Sequence, residues 1–174
     1  MNANLDWLRP HFERVYVGEK WETTKLAYRL YPQLVTLTAP QVGQALLNLV
    51  GQESDVAMRP MDFLYRTYPK EIWEQIIKDD QTQRAMPWPD WMDCDDYAWQ
   101  FKAAANSWYH ANAVAFILDQ SAGHAYNAIV FADGTASLFE PQKDKFVAKG
   151  DPTNLPVGPG GSGRYSLTSG LILV

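Results

Sequence analysis

The stretch DCDDYAWQFKAAANSWY, residues 93–109, holds the only cysteine of the 174-residue chain, Cys94, beside three aspartates. Apolar residues recur along it at spacings of three and four, which places them on one face of a helix. These residues are Tyr97, Phe101, Ala104, Ala105 and Trp108. Asp93 is a residue type that caps helices. The stretch therefore predicts an amphipathic helix that carries a thiol in its first turn.

Helices are also predicted before this stretch. Apolar residues at helical spacing indicate a helix in the first 15 residues, interrupted near Pro10. PQVGQALLNLV follows the capping residue Thr38 and ends at Gly51, and KEIWEQIIKDD carries an apolar stripe. The segments KLAYRLY and QLVTLT are predicted as short strands, and QESDVAMRPMD is predicted as a loop.

Short strands are predicted after the central helix. The segments concerned are AVAFILD, HAYNAIVFA, TASLFEP, DKFVA and YSLTSGLILV. The pair Asp133-Gly134 between two of them is typical of a hairpin turn. Helices followed by strands that form an antiparallel sheet predict an α+β fold. The length fits a single domain, residues 1–174, with residues 1–30 as a helical N-terminal extension.

Composition limits the classes of function. A net charge of −5 without a Lys/Arg cluster argues against nucleic acid or an anionic membrane as a partner. One cysteine excludes an intramolecular disulfide. The first residues are charged where a signal peptide needs an apolar run, and no stretch has the roughly 18 apolar residues of a membrane span. We therefore expect a soluble, cytoplasmic protein, with export by another route left open.

Three residues that support nucleophilic chemistry occur in order along the predicted elements. Cys94 starts a helix, His124 opens a strand in GHAYN, and Glu140 closes the next strand in LFEPQ. Unpaired N–H groups and the helix dipole favour an ionised thiol. An imidazole can accept the proton of the thiol, and a carboxylate can orient the ring. Each residue alone also fits a structural role, whereas together they predict a catalytic set.

The aspartates around the thiol introduce a conflict, because like charges oppose its ionisation. A divalent cation held by Asp95 or Asp96, with oxygens from the EPQ segment, would cancel that repulsion. Carboxylate and amide oxygens are typical ligands of Ca²⁺ or Mn²⁺. The alternative is that the aspartates only cap the helix.

Several of these segments resemble one known family. DCDDYAWQFKAAANSW, AVAFIL, GHAYNAIVF and LFEPQKDKF are similar to the papain-like cysteine protease domain at the C-terminal end of the fairy-ring mushroom agglutinin. The resemblance is dense over residues 93–147, which it marks as the catalytic core. The sugar-binding trefoil that precedes the domain in the mushroom protein has no counterpart here, so the resemblance does not imply carbohydrate binding.

The resemblance implies a papain-like fold and a cysteine protease that depends on Ca²⁺ or Mn²⁺ and acts on a protein or peptide substrate. Cys94 would be the nucleophile, His124 the general base and Glu140 the third member of the triad. The implied metal ligands are Asp95, Asp96, Glu140 and Gln142. Because the family domain mediates dimerisation, a homodimer is left open.

Two alternatives to a protease remain at this point. The first is a transglutaminase-like acyltransferase or an amidase on the same triad, since those enzymes share the C-[DE]-D-[YF]-A helix start and a later GHA. The second is a non-catalytic binding module of a phage or an effector that keeps the fold.

Overall fold

A computed structural model describes residues 20–51, 54–80, 82–84 and 92–174. Of the predicted N-terminal helical extension, residues 1–19 lie outside the described part. The rest forms helix α1, Lys20–Leu30. KLAYRLY, predicted as a strand, lies almost entirely in this helix, so that prediction was wrong. Ala27 and Leu30, three residues apart, are both buried, which is the spacing of a helix rather than of a strand.

Three more helices follow within the described residues: α2, Ala39–Val50, α3, Lys70–Asp79, and α4, Cys94–Tyr109. All three were predicted. Thr38 and Gln41 form a capping box at the start of α2, with the Thr38 backbone N–H donating to Gln41 Oε1 at 2.8 Å. Gly51 ends that helix at a φ of 89°, which glycine adopts without strain. One-turn 3₁₀ helices occupy Tyr31–Gln33 and Thr82–Arg84.

Eight strands are found in the described residues, and they form two sheets. They are β1, Val35–Thr38; β2, Asp55–Arg59; β3, Leu64–Thr67; β4, Val114–Asp119; β5, His124–Val130; β6, Ala136–Glu140; β7, Lys145–Val147; and β8, Ser169–Leu173. Strands β1 and β3 form a small antiparallel sheet. The other six form one sheet in the order β2-β8-β4-β5-β6-β7. The α+β class is therefore confirmed in its general form.

The large sheet is mixed rather than wholly antiparallel. Strand β2 pairs with β8 in parallel, whereas the other neighbours in this sheet are antiparallel. The segment that contains β2 was predicted as a loop, and this was wrong. Its apolar residues Val56 and Met58 alternate with exposed Asp55 and Arg59, as is usual at the edge of a sheet. So short an alternation between charged residues gives a weak pattern.

Helices cover both faces of the large sheet. On one face α2 packs through Val42 and Leu46, together with Ala128 of β5. On the other face α3 and α4 pack through Trp73 and Phe101, together with Ile129 of β5. Every residue of β5 is consequently buried, which explains why its sequence shows no alternation of apolar and polar residues.

This packing places the candidate site. The N-terminal end of α4 lies beside the start of β5, because Cys94 packs against Ala98, Phe116 and Ala125. None of the helices in the described ranges combines the length and apolarity needed to cross a membrane.

Candidate functional site

The thiol lies in the first turn of α4. Cys94 is the first residue of the helix and is partly buried. Asp93 is the N-cap, in extended conformation, and forms a capping box with Asp96: the Asp93 backbone N–H donates to Asp96 Oδ2 at 3.2 Å. The capping role considered for Asp93 is therefore observed. The helix N-terminus supplies the dipole end and unpaired N–H groups around the thiol.

A buried imidazole–carboxylate pair lies beside the thiol. His124 Nε2 and Glu140 Oε2 are 2.7 Å apart, and both side chains are shielded completely from solvent. Strands β5 and β6 bring them together: Asn127 is opposite Phe139, so Glu140 falls opposite Tyr126 and diagonal to His124 on the same face.

Further hydrogen bonds fix the carboxylate. The Tyr165 hydroxyl donates to Glu140 Oε2 at 2.9 Å. The backbone N–H of Gln142 donates to Glu140 Oε1 at 3.1 Å. Both oxygens of Glu140 are thus bound by protein donors, which is the arrangement that a buried carboxylate needs to remain charged.

The other side of the imidazole faces the thiol. His124 Nδ1 is buried, and no atom of the described residues meets both the distance and the angle of a hydrogen bond to it. Burial by itself lowers the pKa of His124, but the hydrogen-bonding influence of Cys94 and Glu140 outweighs it and raises the pKa to about 9. The ring is therefore protonated near neutral pH. A positive ring next to a thiol at a helix N-terminus favours a nucleophilic sulfur.

Two of the aspartates, Asp93 and Asp95, form a group with the thiol. Ligand atoms of Asp93, Cys94 and Asp95 all lie within 4.8 Å of one another. A hydrogen bond shared with Asp95 raises the pKa of Asp93. Two carboxylates that share a proton indicate crowded negative charge, which a cation would relieve.

The predicted metal ligands fit a cation unequally. Asp95 belongs to this group, whereas one oxygen of Asp96 caps the helix. Glu140 is bound through both oxygens to protein donors. The side-chain oxygen of Gln142 is buried without a hydrogen-bond partner in the described part of the chain, as is Asp93 Oδ1. The donor set that suits a cation is thus centred on Asp93 and Asp95.

The structure brings Cys94, His124 and Glu140 together, and it adds Tyr165, which the sequence did not indicate. Tyr165 follows a Gly-rich segment that carries no known ligand motif. Its hydroxyl reaches Glu140 across 25 positions of sequence. Such a tertiary contact leaves no local pattern that could have revealed it.

A concave surface lies at the end of β5 opposite to His124. It is an open groove of about 270 Å³ between α2 and the β5–β6 turn. Its floor is apolar, formed by Leu37, Ala45 and Ala132, and its polar side chains include Gln44 and Asp133. The remaining lining residues are Gln41 and Gly134.

In comparisons with known proteins, this fold is similar to that of a fungal lectin. No protein-family model matches the chain, and no curated protein matches it. Solved structures do match it, and two of them illustrate the likeness. One is the PSL1a–E64 complex, with 21% identity and a TM-score of 0.55. The other is Polyporus squamosus lectin bound to Neu5Acα2-6Galβ1-4GlcNAc, with 22% identity and a TM-score of 0.56. Each match covers 80% of this chain and 50% of the other, so the chain spans about half the length of these structures.

This finding corrects the functional prediction. The matched structures are those of a lectin, neither is named as a peptidase, and one contains a glycan. The predictions of a metal-dependent cysteine protease, and of an acyltransferase or amidase on the same residues, are therefore contradicted. At this level of identity the likeness establishes the fold alone.

We expect the pair to make stability depend on pH. Folding raises the pKa of His124 from 6.5 to about 9. The protonated ring therefore adds its full contribution to the free energy of unfolding below pH 6.5, and this contribution is lost as the pH rises through about 9. At about 1.4 kcal/mol per pKa unit, the loss is about 3 kcal/mol. Urea unfolding at pH 6, 8 and 9.5 measures it, and His124→Gln should remove most of the decline.

The control for this prediction is the histidine at the C-terminal end of α4. Burial lowers the pKa of His110, so His110 contributes no slope above pH 6.5. Asn tolerates the left-handed conformation found there, a φ of 57°, so His110→Asn is the suitable variant. It should leave the decline unchanged. An equal decline in His124→Gln and the parent chain would contradict the prediction.

Proposed function

We propose that this chain is a ligand-binding domain of papain-like architecture whose Cys94 captures a ligand with an electrophilic carbon. The observation that carries the proposal is the buried His124, which is bound to Glu140 at 2.7 Å on one side and borders the thiol on the other. A buried charged pair is costly unless it is fully hydrogen-bonded. The His124–Glu140 pair lies against the one thiol of the chain, and keeping that sulfur reactive would account for its cost.

The capture step is an addition. The Cys94 sulfur forms a bond to the carbon of an aldehyde or an epoxide, and the electron pair of the broken carbon–oxygen bond goes to oxygen. The His124 imidazolium gives its proton to that oxygen. Glu140 stabilises the imidazolium before the transfer and orients the ring. The product is an adduct that stays on the protein, so the proposal requires no turnover.

One similar structure is named as a complex with a compound. PSL1a has been solved in complex with E64. That compound is therefore a suitable probe of the site in this chain, next to a simple alkylating reagent.

We expect Cys94 to react with iodoacetamide at pH 7 at least about tenfold faster than the same thiol in the urea-unfolded chain, because the folded site favours the thiolate. Sulfur displaces iodide, which leaves with the electron pair of its bond to carbon. Intact-mass spectrometry follows the adduct. Since the chain has one cysteine, Cys94→Ala should abolish labelling. His124→Gln and Glu140→Gln should slow it about tenfold or more.

Two further measurements sharpen this test. His110→Asn changes a histidine outside the site and should react at the parental rate. Prior incubation with E64 should lower the rate of iodoacetamide labelling. A folded-state rate no higher than the unfolded-state rate would contradict the proposal.

We further propose that Asp93 and Asp95 hold a divalent cation, Ca²⁺ or Mn²⁺. Their ligand atoms lie within 4.8 Å of one another, and carboxylate oxygens are the donors that these ions prefer. When bound, the ion would offset the negative charge beside the thiol. Gln142, whose buried side-chain oxygen lacks a partner among the described residues, is a candidate additional donor.

Cation binding should appear as a gain in stability. An ion that binds only the folded chain stabilises it by about 2.7 kcal/mol at a hundredfold excess over its Kd. We expect Ca²⁺ to raise the thermal midpoint of the parent chain but not of Asp95→Asn. Glu74→Gln, which changes an exposed carboxylate on α3, is the control and should respond as the parent does. An equal response in all three would rule out this pair as the binding site.

Glycan binding is the second candidate function, and the groove between α2 and the β5–β6 turn favours it. A sugar presents hydroxyl groups and an apolar ring face, which match the amide and carboxylate groups and the apolar floor of the groove. The glycan in the similar lectin structure supplies the ligand to test. Because Asp133 lines the groove and the chain carries a charge of −5, we propose a preference for a neutral sugar.

We expect Galβ1-4GlcNAc to bind weakly, with a Kd in the millimolar range that suits an open groove, and to bind better than Neu5Acα2-6Galβ1-4GlcNAc. Shifts of backbone amide signals on titration measure both. Gln44→Ala should weaken binding, whereas Gln120→Ala, an exposed amide outside the groove, should not. Shifts that avoid Gln41, Gln44 and Gly134 would refute this location.

A further inference from the structure

The Gly-rich segment of residues 158–165 touches both ends of the His124–Glu140 pair, and we name it the glycine clamp. It contains GPGGSGRY and is held to the turn that precedes His124 at one end and to Glu140 at the other. A phosphate-binding role does not suit it, because it leads towards strand β8 rather than into a helix.

The first end of the glycine clamp binds the turn through its backbone. Gly158 N–H donates to the carbonyl of Gly123 at 2.7 Å, and Ser162 N–H donates to the carbonyl of Ser121 at 3.0 Å. The approach is so close that a Cβ on Gly161 would lie 2.3 Å from the carbonyl oxygen of Ala122. Only glycine permits this contact, and His124 is the next residue after the turn.

The second end of the glycine clamp is Tyr165, whose side chain is 1% exposed. Its hydroxyl donates to Glu140 Oε2 at 2.9 Å. Its ring packs edge-on against His124, with centroids 6.0 Å apart. The backbone is fixed too, since Tyr165 N–H donates to the carbonyl of Asp151 at 3.0 Å.

We propose that the glycine clamp positions the imidazole–carboxylate pair and that Tyr165 is the positioning residue. Its hydroxyl holds the Glu140 carboxylate in the rotamer that receives His124 Nε2–H, while the backbone of residues 158–163 holds the turn from which His124 projects. The effect on the reactivity of Cys94 rests on the proposed function. The effect on the His124–Glu140 hydrogen bond does not.

Tyr126 supplies a matched control. It is also buried and packs against both His124 and Tyr165, but its hydroxyl donates to Asp119 at 2.8 Å instead of to Glu140. Tyr126→Phe and Tyr165→Phe therefore remove the same atom from neighbouring rings. Only the second change releases the carboxylate.

The experiment combines the low-field proton NMR signal of His124 Nε2–H with the rate of iodoacetamide labelling of Cys94. In Tyr165→Phe we expect the signal to move upfield or to broaden into exchange, and the rate to fall about tenfold. Tyr126→Phe should keep both at parental values. Gly161→Ala should act like Tyr165→Phe, whereas Gly43→Ala, where an added Cβ meets nothing within 4 Å, should not.

The outcomes separate the two proposals. An unchanged signal in Tyr165→Phe, or an equal loss in Tyr126→Phe, would overturn the positioning role. If the parent chain labels no faster than its unfolded form, the proposed function fails. The NMR signal would then still decide whether the clamp positions the pair.

Discussion

The 2.7 Å contact between His124 and Glu140 is the constraint on which the rest of the site depends. Two groups that carry charge are shielded from water, and such a pair is stable only if each remaining polar atom finds a partner. Glu140 satisfies this condition through Tyr165 and the backbone of Gln142. His124 satisfies it at one nitrogen only, and the other faces the single thiol of the chain.

The sheet makes this contact possible because helices cover both of its faces. Strand β5 is buried along its whole length, so His124, its first residue, is already shielded from solvent. Helix α4 is fixed to strand β6, because Phe101 packs against Phe139 with ring centroids 4.4 Å apart. Phe139 immediately precedes Glu140, so the same packing that holds the thiol helix also holds the carboxylate strand.

Local patterns predicted most of these elements and fewer of the long-range contacts. The stripe of α3 and the capping residues Thr38 and Asp93 act within a few residues, so the sequence shows them directly. Strand β2 was not predicted, because its partner, β8, is distant in sequence and its alternation of apolar and polar residues is short. The role of Tyr165 was not predicted either, because its partner Glu140 is also distant in sequence. Function was predicted from the residue chemistry around Cys94 and from motif resemblance, and the comparisons contradicted it. A fold does not determine what a protein does with it.

The parallel pairing of β2 with β8 has a consequence for how the chain folds. Asp55 is opposite Ser169, so this edge closes only when segments from the two halves of the chain meet. Closing so long a loop is entropically slow compared with forming the β4–β5 hairpin, in which Asp119 is opposite His124. The hairpin that carries His124 can therefore assemble early. The segment that holds Tyr165 joins it with β8, whose own pairing with β4 sets Asp119 opposite Gly170 and so also closes a longer loop than the hairpin does. The imidazole would then spend part of the folding reaction without its full set of partners.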